Sequence, residues 1–194
     1  IKKIIYLGGL GQTDSGLSPH LRSRQEVGET LSQGAVPVIH LRAAIVIGSG
    51  SASYELMKSL VIHNRVVPFL NEFNSLCQPI AIRDVIKYLV GSLENEDMPP
   101  GVYPIGSADV FSYKDLIRRM AECLGCQVHF LHIFWTPLPV HILFRVYAYW
   151  LHLFTPVPVN IISLLLASLK SNVICFNWEI REYIPFEPIR FEEA

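Results

Sequence analysis

Short apolar runs that end in glycine alternate along this chain with longer segments whose apolar positions recur every three or four residues. Ile4-Ile5-Tyr6-Leu7 stops at Gly8-Gly9, which predicts a buried parallel strand, because four apolar residues in a row need cover on both faces. A polar loop over 11–17 follows, and Ser18-Pro19 opens a helix with serine as N-cap and proline at the first helical position. That helix runs to about residue 32. Leu21, Arg24, Gly28 and Leu31 are spaced 3, 4 and 3 and so share one face. From 36 to 47 branched residues dominate, and the run ends in Gly48-Ser49-Gly50-Ser51, predicting a second buried strand with a glycine-serine loop at its carboxyl end.

A helix over 52–63, a short strand at 78–82 and a helix from Asp84 to about residue 93 come next; a carboxylate in the first turn favours the helix dipole. Residues 102–105 predict a strand whose proline places it at an edge or a terminus. Ser112 with Asp115 forms a capping-box pattern and opens a helix that ends before Gly125. Alternating strands and helices predict an α/β domain with a mainly parallel sheet.

Beyond residue 128 the pattern changes. Between 128 and 169 the only formally charged side chain is Arg145, and prolines 137, 139, 156 and 158 cut the stretch into pieces. Residues 138–154 read as one helix of 17 residues, near the lower limit for a membrane span. His141, Arg145, Tyr149 and His152 recur along it at spacings 4, 4 and 3. Such a stripe suits a pocket lid or a subunit interface, and next a helix lying on a membrane surface, better than a span. The tail from 172 to 194 carries no motif.

Composition narrows the classes. Of 194 residues, 51% are hydrophobic and 17% charged, with a net charge of −1. That is enough apolar surface for a sizeable core, and it leaves no basic field for nucleic acid. Four cysteines are too few for a disulfide scaffold and fit a reduced, cytoplasmic setting, with membrane association left open by the apolar segment. Cys123-Leu-Gly-Cys126 reads as a helix end or, alternatively, as a redox pair or half a zinc site; no second Cys/His pair stands at finger spacing. The chain opens on Ile1, as though cut from a longer protein.

Five segments in order carry a resemblance: Ile5-Tyr6-Leu7-Gly8-Gly9-Leu10; the run from Leu17-Ser18-Pro19-His20-Leu21 to Val27-Gly28; Leu41-Arg42-Ala43-Ala44-Ile45-Val46-Ile47-Gly48-Ser49-Gly50-Ser51; Gln78-Pro79-Ile80-Ala81-Ile82-Arg83-Asp84-Val85; and Ile105-Gly106-Ser107-Ala108-Asp109-Val110. Together they resemble the later part of an atypical, extended short-chain dehydrogenase/reductase. The stretch from Trp150 to Pro158 is similar to its branch described as nucleoside-diphosphate-sugar epimerase-like. The resemblance implies residues 1–127 as the C-terminal portion of a Rossmann-type dinucleotide-binding domain with substrate-side elements. Residues 128–194 then form an apolar helical lid or interface segment and a tail. It implies NAD or NADP as cofactor, a small carbonyl or alcohol substrate, and hydride transfer; the apolar C-terminal helix leaves a homodimer open.

Two departures qualify that expectation. The glycine-rich loop that holds the pyrophosphate in this family is absent from the chain, so weak dinucleotide binding and an open strand edge are expected. The family's Tyr-x-x-x-Lys pair is replaced by His20 and Arg24. An imidazole titrates near neutrality and can pass a proton, and a guanidinium can donate to ribose hydroxyls. The bland alternatives are an exposed first-turn histidine, and an ion pair of Arg24 with Glu26 or Asp14. Gly8 and Gly9 either admit a nicotinamide to the backbone or serve as turn glycines. By the resemblance Arg42 and Ala43 lie beside the nicotinamide. Ser49, Ser51 and Ser53 are candidates for a substrate pocket, one of them capping the next helix instead, and Gln78 is a candidate substrate contact. A dinucleotide-binding sensor or assembly factor without turnover, and a membrane-surface protein acting on a lipid or quinone, are the alternative functions.

Overall fold

The computed structural model describes residues 1–11, 18–69, 74–132, 140–169 and 171–194. The loop 12–17 with Asp14, and prolines 137 and 139, lie outside the described residues. The chain runs β1 (Ile4–Gly9), α1 (Pro19–Ser32), β2 (Val38–Ala43), β3 (Ile45–Ile47), α2 (Ala52–His63), β4 (Val66–Phe69), β5 (Leu76–Cys77), β6 (Pro79–Ala81), α3 (Ile82–Glu94), β7 (Gly101–Ile105), β8 (Phe111–Ser112), α4 (Tyr113–Cys123), β9 (His129–His132), α5 (Val140–His152), α6 (Val159–Ser168) and α7 (Ile180–Tyr183).

The main sheet is parallel, in the order β1-β2-β7. Its central strand β2 is buried from Val38 to Leu41 and again at Ala43, as a strand covered on both faces must be. Among the described residues β1 pairs on one side alone, with Tyr6 opposite His40 and Gly9 opposite Ala43. Pro104 sits on β7 at the other edge, where a missing N–H is tolerated. Parallel pairs β3·β6 and β4·β9 and a short antiparallel pair β5·β8 complete the strands.

The branched run 36–47 forms two strands rather than one. β2 ends at Ala43, and after Ala44 the chain leaves the main sheet so that Ile45–Ile47 can pair with Pro79–Ala81. No glycine or proline marks the break, and branched residues suit both strands. The helix expected at Asp84 starts at Ile82, with Asp84 in its first turn. That carboxylate is fully buried; it pairs with Lys87 at 2.9 Å and accepts from the Ile189 N–H at 2.7 Å. The motif-free tail is therefore bound to the domain. Phe186 packs on Tyr88 with tilted rings whose centroids are 4.6 Å apart, Ile180 is buried in one cluster with Val85 and Tyr88 of α3, and the Phe191 N–H donates to Asp109.

Local capping follows the sequence. The Ser18 hydroxyl accepts from the Leu21 N–H at 3.3 Å, and Ser112 accepts from the Asp115 N–H at 3.1 Å. Gly125 has φ +65°, the left-handed geometry that closes a helix. Cys123 and Cys126 beside it are free thiols.

A second core lies under α5 and α6. Phe144, Tyr147, Ala148 and Leu151 are buried at spacings 3, 1 and 3, while Arg145, Tyr149 and His152 face outward. The side chain of His141 lies outside the described residues. Among the described residues no helix is long and apolar enough to cross a membrane.

Candidate functional site

Strands β1 and β2 run parallel and end side by side at Gly9 and Ala43. Just past these carboxyl ends lies a cavity of about 160 Å³. Gly9, Leu10 and His20 form one wall and Ala44, Ile45 and Ser53 another; α2, α4, α5 and α6 close it with Leu60, Ile117, Tyr147 and Leu166. In open α/β sheets, the crevice beyond the carboxyl ends of the strands is where ligands bind.

His20 stands in the first turn of α1, half-buried on the cavity wall. Burial, helped by the Arg24 charge one turn on, lowers its pKa, so the imidazole is mainly neutral at pH 7. Arg24 itself is exposed and, among the described residues, makes no ion pair; Glu26 does not hold it. The face it was expected to share with Leu21 and Gly28 packs through those two residues, while the guanidinium lies outside.

Gly9 borders the cavity, and a Cβ there would come within 2.7 Å of the Leu21 side chain. Gly8 answers to a different need. It faces His40 of β2, whose Nε2 would lie 2.3 Å from any Cβ at Gly8. Arg42 reaches back with Nε to the Gly9 carbonyl at 3.1 Å and with Nη2 to the Gly11 carbonyl at 2.6 Å, clamping the turn that leaves β1. Ala43 is buried among Ile39, Leu41 and Ile105 on the sheet face away from the cavity, and its neighbour Ala44 is the one that reaches the wall.

Of the serines, Ser51 caps α2 through the Tyr54 N–H at 3.5 Å, Ser49 is exposed, and Ser53 lines the cavity. Gln78 is buried away from this cavity. Its amide donates to the Ser107 carbonyl, and its Oε1 accepts from the Cys175 N–H at 2.7 Å, joining two backbone segments. Cys77 and Cys175 are buried too, with thiols pushed up to about 12 by burial, which keeps both protonated.

Sequence reading missed Tyr113 and Tyr147, both on the cavity wall. Burial raises both phenols far above neutrality, so each stays protonated. The outward stripe on α5 held the signal for Tyr147, since it leaves that residue on the opposite, buried face.

His40 was missed as well. Wedged between Gly8 and Gly28, it is buried with no hydrogen-bond partner at Nε2. Burial first, and then the Arg42 charge, lower its pKa against a weaker pull from Glu29. Its proton binds in the unfolded chain, at about 6.5, before it binds in the folded one. Stability is therefore expected to fall as pH drops below about 6.5 and to level off below the folded value. Urea midpoints between pH 7.5 and 5 should show this step, and His40→Leu should shrink it to the share left by His20. A wild-type midpoint flat over that range would contradict it.

No family model matches the chain, and no curated protein matches its sequence. Solved structures do match. A nucleoside-diphosphate-sugar epimerase from Staphylococcus aureus is 11% identical, with a TM-score of 0.72 over 99% of this chain and 63% of that one. An NADPH-dependent quinone oxidoreductase from Escherichia coli is 13% identical, with a TM-score of 0.74 over 100% of this chain and 66% of that one. The triphenylmethane reductase of a Citrobacter species, solved with NADP(H), is 12% identical, with a TM-score of 0.70 over 100% and 64%. The fold is theirs. At these identities the likeness is one of fold alone, and the chain spans just under two thirds of each of these proteins.

Proposed function

We propose that this chain forms the substrate-side part of an NAD(P)-dependent oxidoreductase or epimerase-like protein of the short-chain dehydrogenase/reductase superfamily, acting at a small carbonyl or alcohol carbon. The observation that carries this reading is the place of His20. Among the described residues it is the lone cavity-lining side chain whose ordinary pKa lies near neutrality, and it stands at the carboxyl ends of two parallel strands.

The residues present fit the nicotinamide end of a dinucleotide. Gly9 offers backbone without a side chain, Arg42 fixes the turn beside it, and the Arg24 guanidinium is exposed and unpaired among the described residues. A nicotinamide dinucleotide, when bound, supplies the hydride for a carbonyl carbon or takes one from an alcohol carbon. His20 handles the accompanying proton: protonated, it donates to the developing alkoxide and is recharged from solvent; neutral, it accepts from an alcohol. Arg24, one turn on from His20, would donate to ribose or phosphate oxygens.

Titration of NADPH and NADH by nicotinamide fluorescence, on a longer protein that also carries the glycine-rich phosphate loop, tests the reading. Arg24→Ala is expected to weaken binding about 10-fold, the loss of one charge-assisted hydrogen bond at an exposed site. Unchanged affinity removes Arg24 from the cofactor site, and a His20→Ala variant that keeps its full rate removes the proton role. A sensor without turnover is the second reading, favoured by histidine and arginine in place of the family's tyrosine and lysine. Binding with no change in a broad panel of carbonyls and alcohols would turn the assignment to it.

A further inference from the structure

The wall of the cavity carries a second message, in what it lacks. Among the described residues, no lysine, arginine, aspartate or glutamate lines it. Most of the wall is aliphatic, with Leu56, Met57 and Leu60 from α2 facing Leu151 of α5 and Leu165 of α6.

The polar groups on the wall are few, and some are committed. Ser168 donates to the Leu164 carbonyl at 3.0 Å and lies 3.0 Å from the Ser18 hydroxyl, tying α6 to the start of α1. Tyr147 donates to the Pro68 carbonyl at 3.4 Å. The His20 imidazole and the hydroxyls of Ser53 and Tyr113 are left as polar handles, side by side with apolar surface. A diphosphate placed here would lose its water with no cation to replace it, and a sugar ring would lose more hydrogen bonds than these three groups can restore. An apolar ring loses nothing of the kind. A cavity of about 160 Å³ is close to the volume at which an apolar-lined void accepts a single benzene-sized ring.

We infer that this cavity selects an uncharged, predominantly apolar carbonyl compound of about one ring, whose oxygen takes a hydrogen bond at the His20 end, and that it rejects nucleotide sugars. Calling that compound the substrate rests on the oxidoreductase reading above. The binding preference does not, because it rests only on the described wall residues, all of which this chain supplies.

The test is ligand-detected saturation-transfer NMR on the cofactor-free chain, with three probes: acetophenone, its charged counterpart benzoate, and UDP-glucose. Acetophenone is expected to bind at least 10-fold more tightly than either of the others. Leu60→Trp, which fills the cavity, should reduce acetophenone transfer at least 5-fold. Should that variant not fold, the comparison of the three probes on the wild-type chain decides alone. Equal binding of benzoate or UDP-glucose, or no acetophenone binding at millimolar concentration, overturns the inference. Acetophenone binding leaves the inference standing whether or not this chain binds NADPH; NADPH binding without acetophenone binding overturns it and leaves the dinucleotide reading in place.

Discussion

Gln78→Leu is expected to cost about 2–5 kcal/mol of stability, the largest loss from any single polar substitution proposed for this chain. Leucine fills nearly the same volume, so little of the effect comes from packing. What is lost is the bridge between two backbone segments. The Ser107 carbonyl and the Cys175 N–H both turn to the Gln78 amide, in a position that is 1% exposed. Each buried group left without a partner costs about 1–3 kcal/mol. For a chain of this size the melting temperature should drop by roughly 5–15 °C. Differential scanning calorimetry checks it. A residue that served only as a substrate contact would leave the melting temperature in place and change KM instead, so the two roles separate in one experiment.

Gly28→Ala should destabilise although it improves the helix. Replacing a glycine inside a helix gains about 1 kcal/mol of intrinsic propensity. Here the new Cβ would lie 2.3 Å from Cε1 and 2.4 Å from Nδ1 of His40. The imidazole has no room to retreat, because Gly8 stands against its other side and Tyr6 packs on it with ring centroids 4.8 Å apart. Overpacking of this kind costs about 1–3 kcal/mol or more, and it outweighs the propensity gain. In a His40→Ala background the clash is gone, so the same Gly28→Ala change should stabilise by about 1 kcal/mol. A double-mutant cycle by urea unfolding reads this change of sign as a coupling of about 1–3 kcal/mol, the overpacking cost itself. Additive effects would show that His40 does not dictate the glycine.

These two residues mark the boundary between local and tertiary information. The sequence by itself determined the α/β class, the helix starts at Ser18 and Ser112, the stop at Gly125 and the buried face of α5, because caps and periodicity are written within a few residues of where they act. It also brought His20 and Gly9 to notice, which the fold sets on one cavity wall. Only the tertiary structure decided that 36–47 divides at Ala44, since pairing with Pro79–Ala81 involves residues more than thirty positions away. The four-residue strands at 66–69 and 129–132 likewise exist through each other. Gly8, Gln78 and Arg42 look in the sequence like ligand contacts; the fold engages them with His40, with two distant backbone segments and with the turn after β1. A glycine, an amide and a guanidinium are equally suited to a cofactor or to a neighbouring strand, and which they meet depends on long-range contacts that no local pattern contains.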